Sequence, residues 1–184
     1  MVFFRNLAIA ATTLLGFTAA SPLSIRQTYT PGTQNNTQEF YIKMVVTDGP
    51  AKYQEYGLEA WHTGAGLADP VFVNTTGSRA FLNGTNLQFD VNQYPFSANG
   101  FPSDTNYARW EPIDITSGYG SGGWANAGPD GIVQTNEEFD GWLVCEWYHG
   151  TNAPQLFQMI KGFDGDAYDI PCSCSRVLLF PEFI

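Results

Sequence analysis

Positive charge is scarce in this chain. Eight Lys and Arg stand against eighteen Asp and Glu in 184 residues, and only two His are present. A surface this acidic repels phosphate backbones and anionic headgroups, which argues against nucleic acid and membranes as partners. Cysteine is scarcer still. The three in the chain include no Cys-x-x-Cys spacing, which disfavours both a zinc site and a catalytic thiol. Beyond the N-terminus no apolar run reaches the roughly 18 residues that a bilayer span needs, and the apolar stretch 177–184 is broken by Pro181. No ten-residue amphipathic helix can be written from the sequence. Catalytic signatures are missing as well: there is no Gly-x-Ser-x-Gly elbow, and the Gly-rich stretch 117–131 lacks the Lys of a phosphate loop. Nothing in the chain calls for a cofactor.

What is there begins with Arg5, an apolar run over 7–17 and the small residues Thr18-Ala19-Ala20. That order reads as a secretory signal peptide over residues 1–20, which makes the expected localisation extracellular. Removing it takes one basic residue and no acidic one, so the formal charge moves from −10 to −11. Residues 21–38 hold little that could be buried and read as a flexible arm. The remainder, 39–184, is expected to be one domain, long enough to bury its own core.

In an oxidising compartment two of Cys145, Cys172 and Cys174 are expected to pair. Cys172 and Cys174 sit too close together in an extended segment to bridge, so Cys145 is the common partner. Cys174 is the preferred mate because it opens an apolar strand, whereas Cys172 follows Pro171 in a turn. Three Asn-x-Thr acceptor sites, at Asn35, Asn74 and Asn83, predict exposed turns open to glycosylation.

From residue 39 onward the pattern is that of β structure. Phe40, Ile42, Met44 and Val46 alternate with polar neighbours, the period of a strand with one buried face. The same pattern recurs over 56–62, 71–74, 79–83, 86–91, 108–115, 141–149, 155–160 and 174–180. Asn83-Gly84 between apolar flanks predicts a hairpin turn, and Pro112 marks its strand as an edge or a bulge. Thr135 followed by Glu138 has the spacing of a capping box and allows one helical turn. The expected fold is all-β: an antiparallel β-sandwich or barrel of about eight to nine strands, with long loops at 92–107 and 117–131 and little helix.

Five segments resemble an uncharacterised family of small secreted proteins from filamentous ascomycete fungi. They are Gln38-Glu39-Phe40-Tyr41-Ile42-Lys43, Trp61-His62-Thr63-Gly64-Ala65-Gly66-Leu67, Phe81-Leu82-Asn83-Gly84-Thr85, Tyr107-Ala108-Arg109-Trp110-Glu111-Pro112, and Gly141-Trp142-Leu143-Val144-Cys145-Glu146-Trp147-Tyr148-His149-Gly150 with Pro154-Gln155-Leu156-Phe157. The resemblance implies secretion, a fungal source and a shared fold, and it transfers no catalytic residue. It also implies that Cys172 is an extra beside the usual late cysteine, which again favours Cys145 with Cys174.

Several constellations bear on chemistry. His62 and His149 end two similar Trp-His strands, and with Asp69 or Glu146 they are weak candidates for a metal site if the fold joins the two hairpins. The stretch 164–169 begins like a calcium loop, but Asp169 stands where Gly is needed and Ser175 where Glu is needed, so a polar turn is expected. Glu137, Glu138, Asp140 and Glu146 are carboxylates of the type a small glycosidase-like hydrolase uses. Tyr119 and Trp124 in the Gly-rich loop are candidate binding residues for carbohydrate or for a host or cell-wall protein, since exposed aromatics anchor ligands. The alternative for both is that they fold back to cover one end of the barrel. The expected function is non-enzymatic binding at a surface or against a host. A small hydrolase and a lipocalin-like carrier of an apolar ligand are the alternatives.

Overall fold

The computed structural model describes residues 38–101, 109–147, 153–161, 170 and 173–184. Among these residues the fold is all-β, with two single-turn 3-10 segments at Ala51–Tyr53 and Gly128–Asp130. The strands are β1 (Phe40–Asp48), β2 (Gly57–Gly64), β3 (Leu67–Val73), β4 (Ala80–Asn83), β5 (Asn86–Phe89), β6 (Phe96–Asn99), β7 (Trp110–Pro112), β8 (Asp114–Ser117), β9 (Trp124–Asn126), β10 (Ile132–Gln134), β11 (Phe139–Glu146), β12 (Pro154–Ile160) and β13 (Cys174–Phe183).

Nine of them close an antiparallel barrel. The ring runs β1, β13, β11, β12, β3, β8, β6, β5, β4 and returns to β1 through the pair Phe40↔Ala80. Closure leaves few open edges, which protects a strand-rich protein from edge-to-edge association. Outside the ring, β2 forms a hairpin with β3, β7 adds to the edge of β12, and β9 with β10 makes a separate two-stranded ribbon.

Alternation decides which side chains fill the interior. Phe40, Ile42 and Met44 of β1 meet Trp142 and Val144 of β11, Leu156 of β12, and Val177 and Leu179 of β13 in one buried cluster. The opposite face of β11, β12 and β13 carries a smaller cluster of Leu143, Cys145, Phe157, Met159 and Cys174, flanked by Trp110 and Ile170. β12 is therefore covered on both faces, which explains why Pro154-Gln-Leu-Phe-Gln-Met159 is buried throughout. The expected disulfide lies in that outer cluster. Cys145 and Cys174 are directly opposed across β11 and β13, their Cα atoms 4.2 Å apart and their sulfurs bonded. This is the close approach of a non-hydrogen-bonded antiparallel pair. Cys172 lies outside the described residues.

Two of the four prolines inside strands, Pro112 and Pro181, sit where a ladder can spare a donor. Pro112 ends β7 at the outer edge of β12, and the chain bends at Ile113 before starting β8. Pro181 falls beyond residues 174–177, where β13 pairs with β11. The Asn83-Gly84 hairpin forms one residue later than the sequence implies. Asn83 pairs with Asn86, so Gly84 and Thr85 are the central residues, and among them only Gly84 has positive φ, the signature of a turn with Gly in its first position. No helix begins at Thr135. Instead the Asn136 side chain accepts from the Glu138 amide at 2.8 Å and closes a turn.

Candidate functional site

The Gly-rich stretch after β8 is not a loose loop. It folds back over the outside of β5 and β6, held by a series of polar contacts. Ser97 Oγ donates to the Gly118 carbonyl at 2.7 Å, and the Asn99 side chain accepts from the Ser121 amide at 3.0 Å. Ser121 Oγ accepts from the Gly100 amide, and the Trp124 amide donates to the Thr85 carbonyl. Gly120 shows why this segment has so many glycines. At φ +71° a Cβ there would lie 2.5 Å from Ser97 Cβ and 2.8 Å from the Ala98 carbonyl, so only a residue without a side chain lets the loop seat.

This seating separates the two aromatic candidates. Trp124 is 1% exposed and enters the core, where its ring stacks on Trp142 with centroids 5.2 Å apart and planes 9° from parallel. Its indole N–H donates to Gln134 at 2.9 Å when that amide is oriented to satisfy both neighbours, the Gln134 amide N–H donating to the Gly123 carbonyl. Trp124 thus takes the covering position and presents no face to a ligand. Tyr119 is 67% exposed, the highest value among the large apolar and aromatic side chains that stand out from the surface.

Tyr119 is not isolated. The Ser117 amide donates to the Gly66 carbonyl at 2.9 Å and the Gly118 amide to the Pro95 carbonyl at 2.8 Å, which brings the starts of β3 and β6 against the root of the loop. Those starts carry two further exposed side chains, Leu67 and Tyr94, and Tyr94 is stacked on the buried ring of Phe96. Trp61, also exposed, lies across the β2–β3 hairpin from Asp69, hence on the same face as Leu67 and diagonal to it. Four of the seven exposed large apolar side chains therefore stand near one end of the barrel, Trp61 and Leu67 on its outer face and Tyr94 beside the inward ring of Phe96. Sequence reasoning did not group Trp61, Leu67 and Tyr94 with Tyr119, because only strand pairing brings their backbones to the same end of the barrel.

At the far end of the same loop is a concavity of about 280 Å³, near the lower size of small-molecule sites. Phe101, Gly122, Gly123, Gln134, Thr135 and Asn136 line it. These groups offer amides, a hydroxyl and one ring, and no charge.

The other candidates are dispersed. Val71↔Gln155 does join the two Trp-His hairpins, but His149 lies outside the described residues, as do Asn35, residues 1–37 and the calcium-like stretch. His62 is exposed near the tip of β2, while Asp69 is buried on β3. Among the described residues no group of three His, Cys, Asp or Glu could hold a metal. Asn74 and Asn83 are both exposed, and the Asn83 amide donates to Gln88 at 3.2 Å.

Nor do the carboxylates at the two ends of β11 form a pair. Asp140 and Glu146 stand at opposite ends of β11, about 20 Å apart at strand rise, whereas glycoside hydrolysis needs about 5–10 Å. Glu146 accepts from Lys52 and, at 2.7 Å, from the Tyr53 hydroxyl. The bond from Lys52, then that from Tyr53, hold its carboxyl below the usual carboxylate range, the wrong direction for a general acid. Its role is to tie the 51–53 turn to the end of β11. Asp140 pairs with Arg176 at 3.9 Å, and Glu137 and Glu138 lie on the exposed turn before β11.

No curated protein and no solved structure matches the chain. The model of one family, a domain of unknown function designated DUF7907, matches residues 37–183 and so covers the barrel from the start of β1 to the end of β13. The chain belongs to that uncharacterised DUF7907 family.

Proposed function

We propose that this is a secreted, non-enzymatic binding protein that holds a neutral cell-wall polysaccharide on the aromatic corner of its barrel. The observation that carries the reading is the exposure of Tyr119 on a loop pinned at Ser97, Asn99 and Thr85, with exposed Tyr94, Leu67 and Trp61 at the same end of the barrel. Rigid aromatic side chains give large contact area at little entropic cost, and their faces suit the apolar faces of sugar rings. The formal charge of −10 and the shortage of cations disfavour anionic ligands. A cross-strand disulfide supports an oxidising compartment, in keeping with the apolar leader and the exposed Asn74 and Asn83 acceptor sites.

The test is co-sedimentation of the purified protein with insoluble chitin, cellulose and β-1,3-glucan. At least one is expected to retain the protein, and Tyr119→Ala to release it without loss of folding. Equal retention of wild type and Tyr119→Ala on every matrix would count against the corner. The closed barrel is also compatible with a carrier. Displacement of a lipophilic fluorescent probe by fatty acids, with no retention on any polysaccharide, would favour that function instead.

A further inference from the structure

We infer that the aromatic corner and the uncharged cleft are two subsites of one site, so that the ligand is an extended polysaccharide chain and not a terminal sugar. The inference rests on the binding reading above and adds the direction and length of the ligand. Tyr119 and Gly123 belong to one loop and are four residues apart, which limits their separation to about 14 Å at full extension. That is the scale of a few linked sugar rings.

The ledge between them is almost bare. A Cβ at Gly120 would point into Ser97 and one at Gly122 would lie 2.9 Å from Thr85 Oγ1, so both residues turn toward the barrel and leave backbone on the outside. Ser121 is the one residue between Tyr119 and the cleft that carries a side chain, and its hydroxyl is engaged by the Gly100 amide. A flat ligand can therefore lie along the loop from the Tyr119 ring to the cleft.

The cleft then supplies what the corner lacks. The exposed Thr135 hydroxyl and the Asn136 amide N–H can meet sugar hydroxyls, while Gln134, occupied by Trp124 and Gly123, and the buried Phe101 ring form its floor. Among the described residues the cleft lining carries no cationic side chain, which favours a neutral hydroxylated ligand.

Affinities for β-1,3- and β-1,4-linked gluco-oligosaccharides, from disaccharide to hexasaccharide, test the inference. Wild type is expected to bind the hexasaccharide of one series at least tenfold more tightly than the disaccharide. Thr135→Met, an exposed substitution that fills the cleft, is expected to abolish that gain. Tyr119→Ala should weaken every length. If Thr135→Met does not fold, Thr135→Val removes only the hydroxyl and should weaken the hexasaccharide by threefold or more. A full length-dependent gain retained in the folded Thr135 variant would overturn the linked subsites and leave the corner standing. No binding by wild type at any length, together with no retention on the insoluble matrices, would overturn both.

Discussion

Replacing Trp124 separates a core role from a binding role more sharply than any other substitution in this fold. Its indole is 1% exposed, stacked on Trp142, and bonded to Gln134. Truncation of a buried Trp costs about 3–5 kcal/mol, and leaving the Gln134 acceptor without a donor adds about 1–3 kcal/mol. Trp124→Ala should therefore lose about 5 kcal/mol. That is comparable to the whole stability of many domains, so this variant can fail to fold. Trp124→Phe keeps a ring against Trp142 and loses mainly the N–H, for an expected cost of about 2 kcal/mol. With a urea slope of about 2 kcal/mol/M, the midpoint for Trp124→Phe falls by about 1 M, read by circular dichroism. Tyr119→Ala, on the exposed end of the same loop, should move it by less than about 0.3 M. A Trp124→Ala protein as stable as wild type would refute the placement of this ring in the core. Loss of stability on Tyr119→Ala would refute the separation of the two aromatics.

Three further outcomes follow from named contacts. Replacing Cys145 and Cys174 together by Ser opens a loop with a sequence separation of 29 and should cost about 3.5 kcal/mol on the chain-entropy account, measured by urea unfolding. Gly120→Ala should destabilise by at least about 2 kcal/mol through strain and collision with Ser97, whereas Gly128→Ala, also at positive φ but with no atom within 4 Å of its Cβ, should cost about 1 kcal/mol. Glu146 titrates lower when folded than when unfolded, so its contribution is present at neutral pH and lost as pH falls through the depressed folded value. Carbon NMR should place its midpoint below that of an ordinary exposed Glu, returning toward it in Lys52→Ala.

Much of the architecture was legible because strand alternation is a local signal. Phe40, Ile42 and Met44 mark the inner face of β1 without reference to any partner. The disulfide followed from the same kind of reasoning, since Cys174 opens a strand that has to pair. What the text concealed was short strands whose form depends on neighbours. β6 spans only Phe96–Asn99 between Pro95 and Gly100, and β9 with β10 is buried within a glycine-rich stretch that reads as loop. The propensity of three or four residues is too weak to outweigh such flanks until other strands supply hydrogen bonds. The site was hidden for a related reason. Trp61, Leu67, Tyr94 and Tyr119 span almost sixty residues of sequence, and only the Gly66–Ser117 and Pro95–Gly118 contacts assemble them. Trp124 resembled Tyr119 in sequence because both are aromatic residues among glycines; their opposite exposures arise from the seating of Gly120 against Ser97.

The most direct test of the central claim is the affinity of the folded protein for a soluble neutral glucan, measured by titration calorimetry for wild type, Tyr119→Phe and Tyr119→Ala. If sugar rings stack on the aromatic corner, Tyr119→Phe binds within about threefold of wild type and Tyr119→Ala at least tenfold more weakly, the equivalent of about 1.4 kcal/mol. Identical affinity in all three would contradict the account.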